Sequence, residues 1–582
     1  MKLPVSVLRG ALAVMVAIGT CAVSADELPG TGSLSGRVTA AQPFKAAKVY
    51  ARNTSRHMTH MTYTSEGAYT FINLMPGTYA VTIETAGLGS DTQEVIIESG
   101  IRAVADFRLR TVTTERTAAG SRAGAGPLSA SYDEIYPPGP GREIVEGTCI
   151  ACHGVNWIPG RPNNDEGWNA MLDLMLNMTD AGPWGIKGGS PLIPKGTINE
   201  QQRAEVLAYL VRHFGPDKPV RTVRLEEPIL LDEAALGKAL WVEYSVAEPE
   251  AANGRNRWIQ EPYFDLQGNV WLTERTNGMA AILKLDPHTG SFISYPTTDR
   301  RWSPHGIVVD PTDGQVWWAG QGVYLSRLDP KTGTSKDYTF SSDGHFGGHT
   351  PVFDSKGDIW FSMLPDDRIG HWDRRTDSIR TWKNPTAGGR PYGILVDHND
   401  KIWYAQFYTC KITRFDPTTE KFTEFTAPSA PCTIRRLGLD SKGNIWYGAF
   451  SAGKLGVLNP ATGKFKEYSI NRLAEPYDTW VDPQDNVWIG DGGRGGLLIK
   501  FDQKAERFTN YPSPLPSDMP KLAITRDGAV WYSNRSAASR GGFPATVGVL
   551  YPDRSRMKTL GAHYALSNGK PVGSGSPRPA SR

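Results

Sequence analysis

The chain has 582 residues, 39% of them hydrophobic and 21% charged, with a formal net charge of +3. That length suggests three or four domains, and so weak a charge gives no electrostatic footprint for nucleic acid or a membrane surface. The 17 tryptophans and 62 glycines point to aromatic-packed strands joined by tight turns.

Lys2 and Arg9 precede an apolar run from Ala11 to Ile18, and Val23-Ser24-Ala25 offers a small-residue cleavage site. This is the pattern of a secretory signal peptide over residues 1–25, far too short in its apolar part to span a bilayer. Cys21 after Ile18-Gly19-Thr20 partly matches a lipoprotein cleavage box, with Thr20 a poor residue there. No later segment is long and apolar enough to span a membrane, so the expected location is periplasmic or secreted.

Residues 31–110 read as a small β-sandwich. Ser35-Gly36-Arg37-Val38 starts a strand, and Gly67 to Val81 alternates apolar positions around the Pro76-Gly77 turn. This stretch resembles the carboxypeptidase regulatory-like domains of exported proteins. It clusters no nucleophile, metal ligands or paired acids. His57 and His60 read as surface residues, and the domain as a spacer or an adhesion module. Residues 111–130, rich in Ala, Gly, Ser and Thr, read as a linker. The Gly/Pro/Ser-rich tail over 567–582 reads as disordered.

Within residues 131–218 stands Cys149-Ile150-Ala151-Cys152-His153. C-x-x-C-H is the attachment motif of c-type haem: two thiols form thioethers to the haem vinyls, and the histidine supplies one axial ligand. A zinc half-site would need a second ligand pair nearby, and the next cysteines are Cys410 and Cys432. A redox dithiol does not call for the following histidine. The motif therefore predicts one covalent haem c per chain, and export agrees with it. Two helical patterns follow, over Glu166–Met178 and, with an Asn199 cap, up to Phe214. This order resembles class I cytochromes c, whose last helix packs on the motif helix. The resemblance implies a methionine as second axial ligand, seven residues after the tryptophan of its helix. That spacing from Trp168 selects Met175 over Met178, then Met171, with His213 as runner-up.

Residues 240–562 carry a repeat. Trp271, Trp317, Trp360, Trp403, Trp446, Trp488 and Trp531 recur every 42 to 46 residues, each in an apolar strand just after a turn such as Lys442-Gly443-Asn444. A strand precedes each turn and two follow each tryptophan. Four strands per period, seven times over, read as a seven-bladed β-propeller. The fold class is thus mainly β and multidomain, with a small α-helical unit and an N-terminal β-sandwich. Trp241-Val242-Glu243-Tyr244 is an extra strand that could close the ring against the last repeat.

The repeats resemble the streptogramin B lyase family, also called virginiamycin B lyases, of seven-bladed propellers. The resemblance implies a central site where histidines and glutamates hold Mg²⁺ and a cyclic depsipeptide is opened by elimination. The family places His eleven residues before the Trp in two consecutive blades, and in the second blade Glu thirteen before and three after it. His305, twelve before Trp317, and His349, eleven before Trp360, fit the histidine pair; the carboxylate positions hold Gly347 and Met363. Neither can bind a hard cation or act as a base. Lyase activity is therefore not expected.

The row about eleven before each Trp reads Gln260, His305, His349, Tyr392, Arg435, Tyr477 and Pro520, with Arg436 and Lys521 next door. The row three after it reads Glu274, Gly320, Met363, Gln406, Ala449, Asp491 and Asn534. Both rows are expected to face one funnel, with His305, His349, Tyr392, Arg435 and Tyr477 the candidate ligand contacts or catalytic groups. Cys410 and Cys432, in adjacent repeats of an exported chain, are a candidate disulfide.

The reading drawn from all this is an exported c-type haem electron-transfer protein, an oxidoreductase if it is an enzyme. Its propeller binds a small-molecule substrate or docks a redox partner protein; no nucleic-acid partner is expected. The alternatives are a carbon–oxygen lyase propeller with an accessory haem domain, and a propeller that only binds a ligand.

Overall fold

In five of the repeats the tryptophan indole donates to an aspartate six residues before it, on the far side of the turn between the first two strands. The pairs are Trp271–Asp265, Trp360–Asp354, Trp403–Asp397, Trp446–Asp440 and Trp488–Asp482, at 2.8–3.1 Å. The other carboxylate oxygen accepts backbone N–H groups inside the turn, as Asp440 does from Lys442 and Asn444. One side chain thus satisfies the turn and seats the buried ring beside it.

The computed structural model describes residues 27–112, 128–176 and 197–563, apart from 225–226, 247–256, 277, 301, 340–346, 431, 494–495, 516–520 and 535–544, together with 566–567 and 570–571. The signal peptide, Met178 and Pro520 lie outside the described residues. Among the described residues no helix is long and apolar enough to cross a membrane.

Six four-stranded antiparallel sheets follow one another over 259–296, 303–338, 351–383, 391–426, 434–469 and 476–512, each with its strands in chain order. These are blades 1 to 6. Hydroxyls two residues after the tryptophan tie one blade to the next: Thr273 of blade 1 donates to the His305 carbonyl, and Ser362 of blade 3 to that of Tyr392. Cys410 and Cys432 form the expected disulfide between blades 4 and 5, with Cα atoms 5.6 Å apart.

Among the described residues the seventh repeat does not stand as a separate blade, so six free-standing blades are found where seven were expected. Its strands Leu522–Ile524, Val530–Asn534 and Thr546–Tyr551 pair in that order. Leu240–Ser245 then adds to them antiparallel, as expected for Trp241–Tyr244. The reason the sheet does not end there is that the far edge of Leu240–Ser245 also pairs, with Met58–Tyr63 of the N-terminal unit. One 13-stranded sheet therefore runs from the last repeat into the N-terminal domain.

That domain is accordingly no free spacer. Thr62 donates to the Ala239 carbonyl at 2.8 Å, and the Asn73 amide to the Met557 sulfur at 3.3 Å. His60 is buried against Tyr79 rather than on the surface, and burial pushes its imidazole down to about 4. His57 is exposed, as expected. At the ends of two segments read as unstructured, short strands form: Leu128–Ala130 pairs with Arg221–Val223, and Leu566–Ser567 with Lys570–Pro571.

The small helical unit has its own core, including Tyr136, Val145, Trp168, Leu172, Val206, Leu210 and Phe214. Helix α1, Asp165–Met175, is capped by Asn164, and helix α2, Glu200–His213, by an Asn199–Gln202 capping box. The two pack together, and the Trp168 indole donates to the Phe214 carbonyl at 3.0 Å. The short helix Arg142–Ile144 leads into the cysteine motif and packs on α2. The approach there is close: a Cβ on Gly141 would lie 2.6 Å from the Glu205 carbonyl oxygen.

Two outcomes test this account. Asp440→Ala removes the partner of the buried Trp446 indole and of two turn amides, and should cost roughly 2–4 kcal/mol in denaturant unfolding. Glu243 lies buried where the shared sheet crosses between domains, accepting from Tyr532 and Asn534 at 2.9 and 2.8 Å. Burial raises its carboxyl from 4.5 to about 7 despite those bonds. The stability from holding that proton is fully present below pH 4.5 and is lost as pH rises through about 7. Glu243→Gln should therefore be more stable than the parent at pH 8, by on the order of 1–3 kcal/mol, with the gain gone by pH 4. Thermal unfolding across that range measures it.

Candidate functional site

Cys149 sits in a π-helical turn, Val145–Ile150, that runs directly into the α-helical turn Ala151–His153. Cys149 and Cys152 are three residues apart on continuous helical backbone. Cys149 is half-buried and in no disulfide. The turn ends at Gly154, at φ +76°, and the half-buried His153 ring stacks on Trp157 at 4.1 Å. The donor set is two thiols and an imidazole on one local segment, which fits a c-type haem. Of the methionines, Met171 packs into the helical core, and Met175 is half-buried at the C-terminal end of α1. His213 closes α2 with its ring 4.6 Å from that of Tyr209.

The five funnel candidates do converge. The rings of His305 and His349 lie 3.6 Å apart and those of His349 and Tyr392 4.1 Å. The hydroxyls of Tyr392 and Tyr477 are hydrogen-bonded at 2.5 Å. The Arg435 guanidinium lies 3.9 Å from the Phe450 ring centre and 4.5 Å from that of Tyr477. Each of the five sits at or beside the start of its blade's first strand, where the strands crowd around the axis. Burial, then the neighbouring His349 and Lys521, hold His305 well below the usual imidazole range; burial, then Lys521 and Arg436, do the same to His349. Both rings are neutral at pH 7.

The row three after each tryptophan does not join them. Glu274 pairs with Arg257 at 2.9 Å, Gln406 bonds Thr413 and Glu424, Asp491 accepts from the Glu475 and Gly493 amides, and Asn534 bonds Glu243. These side chains bond to neighbours other than the five funnel residues.

Beneath the five lies a buried charge cluster that the sequence reading only half saw. Arg436 makes two bonds to Glu261, at 2.7 and 2.8 Å. The Lys521 ammonium lies 3.3 Å from Glu261 and from Nδ1 of His305. Asp478 accepts the Leu522 amide. Burial opposes ionisation of Glu261, but Arg436 and Lys521 outweigh it and hold the carboxyl low; burial and Arg436 push Lys521 well down. The available signal was the next position along each first strand, where Glu261, Arg436, Asp478 and Lys521 pair two acids with two bases. The cavity at this depth, lined by Glu261, Ile307, Thr350, Ile394, Arg436 and Trp480, has room only for a water, about 10 Å³.

The helical unit closes the funnel from above. Arg435 donates to the carbonyl of Ala151, between the two motif cysteines, at 2.8 Å. The Val155 amide, just past the motif, donates to Glu475 at 2.6 Å. Arg472 covers the Tyr132 ring at 4.8 Å, and Leu473 inserts into the helical core. His305, His349, Tyr392, Arg435 and Tyr477 are only 3–7% exposed. Arg472 and Glu475 lie on the loop entering blade 6; Glu475 stands thirteen residues before Trp488, the position that Gly347 holds before Trp360, and that spacing was the available signal.

The positions where the lyase family carries its carboxylates are closed by packing. Gly347 has φ +106°, and a Cβ there would lie 2.1 Å from the Gly320 carbonyl oxygen. Met363 is fully buried.

The virginiamycin B lyase family model matches residues 246–495, and the carboxypeptidase regulatory-like domain model matches residues 33–110. Among solved structures, virginiamycin B lyase from Staphylococcus aureus is similar at 19% identity and TM-score 0.46, covering 54% of this chain and 99% of its own. A streptogramin B lyase is similar at 20% identity and TM-score 0.46, covering 54% and 97%. The WD40 propeller domain of Doa1 follows at 12% identity and TM-score 0.42, covering 54% and 98%. No curated protein matches the chain. By its repeats, its six blades and these family matches, the chain carries a virginiamycin B lyase-like propeller behind a carboxypeptidase regulatory-like domain.

Proposed function

We propose that this is an exported one-electron carrier whose helical unit, over 131–218, holds a c-type haem at the mouth of the propeller. The observation that carries the reading is Cys149, Cys152 and His153 on one helical segment, seated on the funnel by Arg435 and Glu475. Cys149 and Cys152 would bind the haem covalently, and His153 and Met175 would ligate its iron. A haem so held supplies one-electron transfer at a potential tuned by its ligands and surroundings. The packing of α2 on the helix leading into the motif supports the same reading. In this reading the three strands of the last repeat together with Leu240–Ser245 are the seventh blade, and the propeller spans 240–562.

The chain's own residues would do the rest. With the helical unit displaced from the funnel, the neutral His305 and His349 and the Tyr392 hydroxyl would offer hydrogen bonds to a small-molecule substrate, or to a group presented by a redox partner protein. The seat of the helical unit keeps bulk water from them. Export over residues 1–25 would place the protein in the periplasm or outside the cell, where haem is attached to such motifs.

The family match over 246–495 favours a second reading, a carbon–oxygen lyase with an accessory haem unit. Elimination needs proton removal and a polarised leaving group. The closed backbone at Gly347 and the buried thioether of Met363 weigh against a Mg²⁺ site there, and leave ligand binding without catalysis as the lesser alternative.

Two measurements decide between these readings. Expressed with haem maturation, the full chain should keep haem through denaturation and acid acetone, and Cys149→Ser with Cys152→Ser should abolish this; haem that washes out of the parent refutes the proposal. The full chain should also show no appreciable Mg²⁺-dependent opening of cyclic depsipeptide lactones. Robust opening that is lost in His349→Ala would put the lyase first.

A further inference from the structure

The cysteine–histidine turn is gripped by two side chains of opposite charge from the propeller. Arg435 binds the carbonyl of Ala151, two residues before His153; Glu475 binds the amide of Val155, two residues after it. Both side chains are buried. Arg435 is held in place by the rings of Phe450, Tyr477 and Phe407, with centroids 3.9, 4.5 and 5.2 Å from its guanidinium carbon. Glu475 has its own backbone amide fixed by Asp491 at 2.7 Å. Gly154 completes the grip: its φ is +76°, and a Cβ there would lie 2.6 Å from the Glu475 carboxylate. No residue other than glycine would let that carboxylate come so close.

We infer that Arg435 and Glu475 are positioning residues that fix the histidine-bearing turn on the propeller and set opposing charges beside the group it holds. The redox half of this inference rests on the haem reading above; the docking half does not. A buried cation beside a haem disfavours the ferric form, which carries one more positive charge, and a buried carboxylate favours it. The two residues therefore act on the potential with opposite sign.

Spectroelectrochemical titration of the haem-loaded full chain tests this. Arg435→Met should shift the ferric–ferrous equilibrium about tenfold toward ferric, ~59 mV for one electron. Glu475→Gln, which can still accept the Val155 amide, should shift it toward ferrous by a similar factor, and Arg435→Lys should keep most of the parent potential. A merely structural role would loosen the turn and move Arg435→Met and Glu475→Gln the same way. Shifts of the same sign, or none in either variant, overturn the inference. Should the chain hold no covalent haem, the haem reading fails and the docking half is read separately, in the haem-free chain. There, Glu475→Ala should speed hydrogen exchange at Val155 at least tenfold, and unchanged protection overturns the grip.

Discussion

The indole–carboxylate bond, repeated in five blades, is the constraint on which the remainder of the propeller rests. A buried tryptophan brings the largest apolar surface of any side chain, but its N–H must find an acceptor once it leaves water. Placing an aspartate six residues earlier supplies that acceptor and closes the hairpin turn with the same side chain. The register of the first two strands follows from this bond. In antiparallel strands a slip of one residue would turn every inner side chain outward. In the two remaining repeats the bond is not made, and the buried Trp317 indole N–H is left without an acceptor among the described residues. Asp310 stands seven residues before Trp317 and pairs with Arg374 instead, and Thr525 takes the place of the aspartate before Trp531.

With each first strand held in register, its early residues meet around the axis. There the chain has built two layers. The upper one is aromatic, from the close-set His305 and His349 rings through Tyr392 to Tyr477, with the single cation Arg435 at its edge. The lower one is ionic, with Glu261 between Arg436 and Lys521. A buried ion pair of this kind gains little net stability, because desolvation cancels much of the attraction. It adds to an effect on the layer above: burial first, and then the charges of Lys521 and Arg436, hold both imidazoles well below their usual range. The funnel thus presents neutral hydrogen-bonding rings and one cation, Arg435, which the helical unit engages.

Two further units depend on the propeller's surfaces. The N-terminal domain extends the sheet of the last repeat through Met58–Tyr63, which removes an exposed edge that could pair with another chain. The helical unit sits across the funnel and buries the residues there. The propeller is thereby a platform that carries the cysteine–histidine turn at its axis.

The repeat of tryptophans, the turn residues beside them, the cysteine motif and the Asn199 helix cap were all legible in the amino-acid sequence, because each is a local device. Its partners lie within a few residues, so spacing alone reveals it. The row eleven before each tryptophan was legible for the same reason, since a strand places equivalent positions of successive blades at equivalent depths. What was not legible was every contact between units. The shared edge of Leu240–Ser245, the burial of His60 and the hold of Glu475 on Val155 join residues far apart in the chain. The failure of the row three after the tryptophan belongs here too. Gln406 and Asp491 have the right type and depth, but Glu424 and the loop entering blade 6 claim their hydrogen bonds. Composition and period decide which elements form and which way they face. Which surfaces then meet depends on complementary shape and on satisfying each buried polar group, and only the folded chain determines that.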